Sequence, residues 1–384
     1  MNLDVFVLDS LDELRLRLSS LQPDAACDDL FSTLAWFENL HRHGIPAQDR
    51  LSVFCARPLG SGALPVCLPM LCQPAGRASA FGPQWSGLSN YYSSLFAPVG
   101  HADECSVEVC RALLRAIRRH PDHTGVIDLQ PLDQDSPFFT AMRSALREEG
   151  FFADTYFCFG NWHLTVGGRS FEQYFPCVPS RIRNTIRRGR KKLDDAGNWS
   201  LRIVSGEGDD LEAAITDFDE IYRRSWKVPE PFPQFVPGLI RTAARHGWLR
   251  LGVVRLADTP IAAQLWLVRG GRALIYKLAY DEEYKRFSAG SVLTAELMRH
   301  AIDVDRVDDI DYLTGDDAYK ADWMSQRRER LGMVAFDPIT VRGLASAVRH
   351  GAGRLRRALR QALPRPAPET AAPAAEIASA AEQV

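Results

Sequence analysis

The sequence predicts a fold of the α/β (α+β) class, and three observations carry that prediction. Three strand-like runs, LRLGVVRL, IAAQLWLVR and RALIYKLAY, succeed one another between residues 249 and 280, divided by the turn signals Asp258-Thr259-Pro260 and Gly270-Gly271. A small-residue and basic loop, Tyr284 to Ser291, then leads into a helix predicted over Ser291–Ile302 and a further strand and loop from Asp309 to Lys320. Strand runs also alternate with helical periodicity through the first half, and 384 residues are long for one core, so two units are expected.

In the first half, helical spacing is seen around Phe31, Leu34 and Phe37, again through Val109, Leu113, Ala116 and Ile117, and from Pro137 to Glu149 after Ser136. The strand-like runs are Leu51–Ala56, Leu64–Cys72, Val126–Gln130 and Tyr156–Val166. Gly and Pro between 58 and 100 predict long loops carrying Phe81, Trp85, Tyr91 and Tyr92, either as pocket-shaping aromatics or as core aromatics under irregular loops. The clearest helix spans 209–226, where Leu211, Ile215, Phe218, Tyr222 and Trp226 form one apolar stripe. Pro229, Pro231, Pro233 and Pro237 then predict a stiff loop.

A strand running through a small-residue loop into a helix gathers backbone N–H groups in one place, which is phosphate-binding geometry. The same pattern also suits a plain strand-loop-helix with Ser as N-cap. Between Arg181 and Lys192 lie seven cations and no acid, with Ile182, Ile186 and Leu193 on the opposite face. Such a run is either a solvated helix face or a surface for an anionic partner. Aromatics are not interleaved with it, which argues against nucleic acid.

Taken together and in order, these pieces resemble the acyltransferase domain of the CelD-like (BcsL-like) proteins of the GNAT superfamily, relatives of the FemAB-like transferases. The resemblance runs from about Pro179 to Trp323 through five pieces: the basic helix Arg181 to Lys192, Ala279-Tyr280-Asp281, Ser288-Ala289-Gly290, Asp311-Tyr312-Leu313-Thr314-Gly315 and Tyr319-Lys320. The family's small-Pro-Gly stands here as Ser-Ala-Gly. The resemblance implies two tandem GNAT-like units with mixed sheets flanked by helices: 1–168, degenerate, and 169–338, the acyltransferase domain.

What the resemblance implies for function is an acyl-CoA-dependent transferase, most simply of acetyl, acting on an amine or hydroxyl of a cell-envelope or polysaccharide precursor by direct attack on the thioester. Acetyl-CoA or another acyl-CoA is then the co-substrate, with no metal. The implied donor site comprises Leu278, Ala279 and Tyr280 on the last meander strand, and Arg286, Ala289, Gly290 and Ser291 at the loop. The chemistry needs a base for the acceptor, a donor for the oxyanion and an acid for the thiolate. Lys320 is the candidate oxyanion or acceptor contact, Asp311 and Asp316 the candidate bases, and Tyr319 and Tyr276 the candidate acids. Each of these also has a plain structural use, the aspartates as turn caps and the tyrosine as packing. Arg183, Arg187, Trp226 and Gln264 complete the set as substrate-binding residues. Two alternatives stay open: an aminoacyl transferase of FemAB type using aminoacyl-tRNA, which would rely on the 181–192 helix, and a non-catalytic membrane-associated scaffold of polysaccharide assembly.

The stretch 339–363 places Leu344, Val348, Ala352, Leu355, Leu359 and Leu363 on one helical face, with Arg342, Arg349, Arg354, Arg356, Arg357 and Arg360 beyond it and no acid between Asp337 and Glu369. It predicts a basic amphipathic helix, either on an anionic membrane surface or docked on its own domain. Residues 364–384, rich in Ala, Pro and Glu, are expected to be disordered.

Composition sets outer limits. Hydrophobic residues make up 46% and charged residues 24% of the chain, as in ordinary globular proteins, and the net charge of −2 argues against bulk attraction to nucleic acid. Eight cysteines without C-x-x-C, several in apolar runs such as Val66-Cys67-Leu68 and Phe157-Cys158-Phe159, predict buried free thiols and a reducing compartment. The N-terminal residues lack the pattern of a signal peptide, and no apolar run reaches the ~20 residues of a membrane span. The expected location is cytoplasmic, with peripheral contact at the inner face of the membrane.

Overall fold

In the computed structural model the described residues are 2–21, 24, 27, 29–60, 62, 64–73, 84–208 and 210–362, with side chains described to residue 356. Phe81 and the tail 364–384 lie outside them. The first unit runs β1 (Leu3–Leu8), α1 (Leu11–Leu18), α2 (Leu34–Gly44), β2 (Arg50–Pro58), β3 (Val66–Gln73), β4 (Gln84–Gly87), α3 (Val107–Arg119), β5 (Val126–Asp133), α4 (Pro137–Glu148) and β6 (Phe152–Thr165). A single turn, α5 (Phe171–Tyr174), and the basic helix α6 (Ser180–Ala196) connect to the second unit. That unit runs β7 (Trp199–Val204), α7 (Leu211–Arg224), α8 (Phe235–Arg245), β8 (Leu249–Leu256), β9 (Thr259–Arg269), β10 (Arg272–Tyr280), α9 (Ala289–Arg299), β11 (Asp309–Asp311) and β12 (Gln326–Phe336), and α10 (Val341–Ala362) closes the chain.

The two units repeat one element order. Each opens with a strand and two helices, continues through three strands and a helix, and ends with two strands, which α4 separates in the first unit. All twelve strands join one mixed sheet in the order β1-β2-β3-β4-β5-β12-β6-β11-β10-β9-β8-β7. The last strand of each unit therefore inserts into the other. β12 pairs antiparallel with β5 and β6, and β6 pairs antiparallel with β11. This is a mixed α/β architecture, one large mixed sheet flanked by helices.

Local chemistry explains the elements. Gly270 and Gly271 both have positive φ (52° and 71°), which a tight hairpin with the right-handed strand twist requires, so β9 and β10 turn back within two residues. Ser10, Thr33, Ser106 and Ser136 each accept a backbone N–H at a helix start. The helix pair α2 and α8 joins the units. There Trp36 meets Phe235 edge-on at 5.8 Å, Tyr92 stacks on Phe235 at 3.7 Å, and the Asn39 amide donates to the Phe235 carbonyl.

Several expectations need correction. The α7 stripe is Leu211, Ala214, Ile215, Phe218 and Ile221, because the helix stops at Arg224 and leaves Trp226 beyond it, 46% exposed. Pro237 does not belong to a loop. It sits in the first turn of α8, where its missing N–H is not needed. The predicted long loops of 58–100 contain β4, and Trp85 and Tyr92 are buried while Tyr91 is exposed. Helix α9 begins at Ala289 rather than Ser291, and its α-helical part ends at Arg299 before a π turn over His300–Val304. Six cysteines are buried and none of the eight is in a disulfide, but Cys158 is only partly buried, Cys177 is exposed and Phe157 is 54% exposed.

Helix α10 does not dock by its apolar stripe. Gly343 and Ser346 face the body, with Gly343 so close to the Asp337 and Gly125 carbonyls that a Cβ there would overlap them. His350 Nε2 lies 2.7 Å from Asp154, Arg354 pairs with the same carboxylate, and the His350 ring packs on Phe336. Leu344, Val348 and Leu355 point away and are 47%, 65% and 62% exposed.

Candidate active site

Strand β10 is paired unequally on its two sides. β9 accompanies it from Arg272 to Tyr280, but β11 runs parallel to it only from Arg272 to Leu274. The cause lies at Asp311. Its Oδ1 accepts from the Leu313 N–H and from Asn161 Nδ2, both at 2.6 Å, while Oδ2 pairs with Arg328. Asn161 also donates to the Leu313 carbonyl at 2.9 Å. These bonds hold Leu313 at a φ of 57°, a left-handed conformation that costs a residue with a Cβ on the order of 1 kcal/mol, and turn the chain out of the sheet. From Ile275 to Tyr280 the β10 edge facing β11 has no strand partner among the described residues.

At the far end of that edge, α9 begins. Ser288 takes a left-handed conformation (φ 50°, ψ 35°), so the first helical residue is Ala289, and the first-turn amides have no partners within the helix. The α6 helix presses against this turn. A Cβ on Gly189 would stand 2.6 Å from the Phe287 carbonyl oxygen, so only glycine permits the approach, and Lys192 Nζ donates to the Arg286 carbonyl at 2.9 Å. Beneath, buried Gln264 donates to the Gly290 carbonyl at 3.0 Å and to Thr294 Oγ1 at 2.7 Å, while accepting from Trp266 Nε1 at 2.9 Å. The result is a rigid helix N-terminus with cations beside it, suited to an anion.

Where β10 and β11 part, a cavity of about 230 Å³ opens. Tyr276, Lys277 and Leu278 of β10, the 312–320 segment, the 91–94 loop of the first unit, and Tyr222 and Lys227 line it. Three of these lining residues converge on Glu230, which accepts from Tyr222 Oη at 2.6 Å and Tyr92 Oη at 2.8 Å and pairs with Lys277. Burial raises the Glu230 pKa, but Lys277 and Tyr222 outweigh it and hold the carboxyl below its ordinary value. Burial, then the neighbouring Lys277, lowers the Lys227 pKa. Lys320 is 4% exposed, and its ammonium donates to the Thr314 carbonyl at 2.5 Å and pairs with Asp317 at 3.2 Å. Tyr319 stands at the mouth, edge-on to Tyr312, and burial pushes its pKa up to about 12. Among the described residues no group of three His, Cys, Asp or Glu could hold a metal ion.

Residues 180–321 match the family model of the acetyltransferase (GNAT) domain. The match supports a transferase enzyme, and the β10 edge, the α9 N-terminus and the cavity all lie within or against the matched segment. Among solved structures, it is similar to FemX, at 12% identity with a TM-score of 0.61, over 88% of this chain and 97% of that one. It is also similar to the C-terminal domain of a putative lysylphosphatidylglycerol synthetase from Agrobacterium fabrum, at 13% identity and a TM-score of 0.52, over 88% and 95% of the two chains. A protein of unknown function from Bacteroides thetaiotaomicron matches at 11% identity and a TM-score of 0.53, over 87% and 100%. These likenesses are of fold. A search of curated proteins returned no match.

The structure brings Lys320, Tyr319 and Tyr276 of the matched segment to the cavity, although the Tyr276 hydroxyl donates to the Tyr92 carbonyl at 3.0 Å. Asp311 and Asp316 are elsewhere. Asp311 is buried and saturated by the contacts that turn the chain, and Asp316 is exposed and clasped by Arg327, which lowers its pKa. The base role of these two finds no geometric support here, because neither faces the cavity. Leu278, Ala279 and Tyr280 lie on the unpaired edge, and Ala289, Gly290 and Ser291 form the first turn of α9. The Ser291 amide is already bonded to the Ser288 carbonyl, and the Arg286 guanidinium rests over the Phe287 ring at 4.8 Å.

The four substrate-binding candidates do not converge. Gln264 is buried beneath α9, Trp226 packs on Tyr280 at 4.5 Å, Arg183 donates to the Val178 carbonyl and Arg187 to Asn184. The seven cations of α6 are not all uncompensated, since Arg181 pairs with Asp322 and Arg190 with Glu296. Glu230, Lys277, Lys227 and Tyr222 were not singled out from sequence as functional. The one signal for Glu230 is its position between Pro229 and Pro231, where a carboxylate is held on stiff backbone.

Proposed function

We propose that the chain transfers an acyl group from an acyl-CoA, acetyl in the simplest case, to an amine or hydroxyl acceptor in the 230 Å³ cavity. The observation that carries this reading is the parting of β10 and β11 after Leu274, which leaves a strand edge running from a helix N-terminus to a polar cavity. An extended amide-bearing arm suits the Ile275–Tyr280 edge, and its pyrophosphate suits the Ala289 turn. The acceptor nitrogen or oxygen attacks the thioester carbonyl carbon, the new C–N or C–O bond forms as C–S breaks, and the acceptor proton leaves to a base. Tyr319 keeps its proton at neutral pH and is the O–H donor for the departing sulfur. Lys320 holds the Thr314–Asp317 segment at the reacting carbon.

Lys227, Lys277 and Lys320 line the cavity beside Asp317, and Glu230 pairs with Lys277, three cations against two carboxylates, which favours an acceptor bearing an anionic group. The resemblance to CelD-like proteins makes a cell-envelope or polysaccharide precursor the acceptor class. Likeness in fold to FemX over nearly the whole chain supports a second reading, aminoacyl transfer from aminoacyl-tRNA. Calorimetry with acetyl-CoA, longer acyl-CoAs and free CoA separates the two. Tight acyl-CoA binding is expected, and no binding of any CoA species overturns the first reading.

A further inference from the structure

Helix α10 reverses the usual arrangement of a terminal helix. Small and polar residues, Gly343, Ser346 and His350, face the body, and its large apolar residues face away. The docking is firm all the same. Thr340 Oγ1 accepts from the Gly343 N–H at 2.9 Å, fully buried Asp337 just before it binds Arg118 at 2.8 Å and His123 at 2.9 Å, and Asp154 holds His350 and Arg354. The outward face is therefore a fixed surface. Val341, Leu344, Val348 and Leu355 form a continuous outward stripe, and Arg342, Arg349 and Arg356 run along one border of it, all exposed.

We propose that this face lies on an anionic lipid bilayer, holding the transferase at a membrane surface. The apolar stripe would enter the headgroup boundary while the arginine row meets lipid phosphates. Charge decides for this occupant. From Pro338 to Thr370 the sequence has one acid, Glu369, so the basic character continues through Arg357, Arg360 and Arg365. A second copy of the helix would bring no carboxylate to meet these arginines. Among the described residues no helix is long and apolar enough to cross a membrane, so contact of this kind would be peripheral. The proposal does not depend on which acyl donor the cavity takes.

The test is co-sedimentation of the full-length chain with vesicles of phosphatidylcholine alone or mixed with phosphatidylglycerol. Binding is expected only to the mixed vesicles, and to be lost near 1 M salt, where the screening length falls to about 3 Å. The pair Leu344→Glu and Val348→Glu, at exposed positions, should weaken binding at least about tenfold with an unchanged melting temperature, and so should Arg342→Glu with Arg356→Glu. Failure of the wild-type chain to sediment with mixed vesicles overturns the proposal, as does undiminished binding by either double variant. A concentration-dependent dimer in sedimentation velocity, dissolved by Leu344→Glu with Val348→Glu, would assign the face to a second copy and overturn it equally.

Discussion

Glu230 accepts a hydrogen bond from Tyr92 at 2.8 Å, so a proline-bounded loop of the second unit is tied to the loop of the first that lines the cavity. Nearby, Ser94 and Thr314 share a further hydrogen bond at 2.8 Å across the units. The walls of the cavity thus depend on how the units are held together as much as on the second unit itself.

Replacing Glu230 with Gln should lower the acyl-transfer rate at least about tenfold, the scale of one lost charge-assisted contact, while leaving CoA affinity unchanged. The sign of the pH effect follows from its lowered pKa. Glu230 stays ionised above its ordinary value of 4.5, and its contribution is lost only as pH falls below that value. An acid limb of kcat/KM centred well above pH 4.5 that vanishes in the Gln variant would contradict this.

Gly290→Val should abolish CoA binding without unfolding the chain. An added Cβ meets Tyr280 at 3.5 Å, an ordinary contact, so the fold accepts it, while the branched side chain covers the first-turn amides. Calorimetry with CoA and a thermal melt measure the two halves of this expectation.

Gly189→Ala should act on the same turn from outside. The Cβ would lie 2.6 Å from the Phe287 carbonyl oxygen, so α6 must shift off the loop, at a cost of about 1–3 kcal/mol for overpacking. Both the melting temperature and CoA affinity should fall, and unchanged values of both would show that α6 can move freely.

Lys320→Ala is expected to lower turnover at least about tenfold by releasing the Thr314–Asp317 segment, with little change in CoA affinity. Lys320→Met, which keeps the packing over Tyr312 but not the donors, should be equally slow. A normal rate with a lowered melting temperature would make the lysine purely structural.

Asp337→Ala should destabilise the chain by about 3 kcal/mol, since it leaves Arg118 without its buried partner. Burial pushes the Asp337 pKa up, but Arg118 and His123 outweigh it and hold it below 3.8, so the wild-type advantage over the variant should shrink as pH falls below that value. Melts of both proteins between neutral pH and about pH 3 check the trend.

The parts of this architecture legible in the sequence are those set by neighbours along the chain. The β8–β10 meander announces itself through apolar runs and two turns, and the loop that leads from Tyr280 into α9 follows from it. Glu230 was not legible, because its partners Tyr92, Tyr222 and Lys277 come from three separate segments and nothing in Pro-Glu-Pro names them. The misplacement of Gln264 has the same cause, since a polar residue in an apolar strand looks alike whether it faces a ligand or fastens a helix from below. The α10 stripe is legible as a pattern, but which side of the helix meets the body depends on Gly343 fitting against Gly125, a contact between distant residues.

The placement of β12 between β5 and β6 bears on how the chain can be made. As the first unit leaves the ribosome, β5 and β6 are already present, yet the strand that joins them arrives only when residues 326–336 have been synthesised. Until then two long, partly apolar edges stand open, the condition in which nascent chains recruit chaperones or one another. Splitting the gene between the units should therefore yield two insoluble halves, and co-expression of those halves should restore a soluble complex through mutual strand donation.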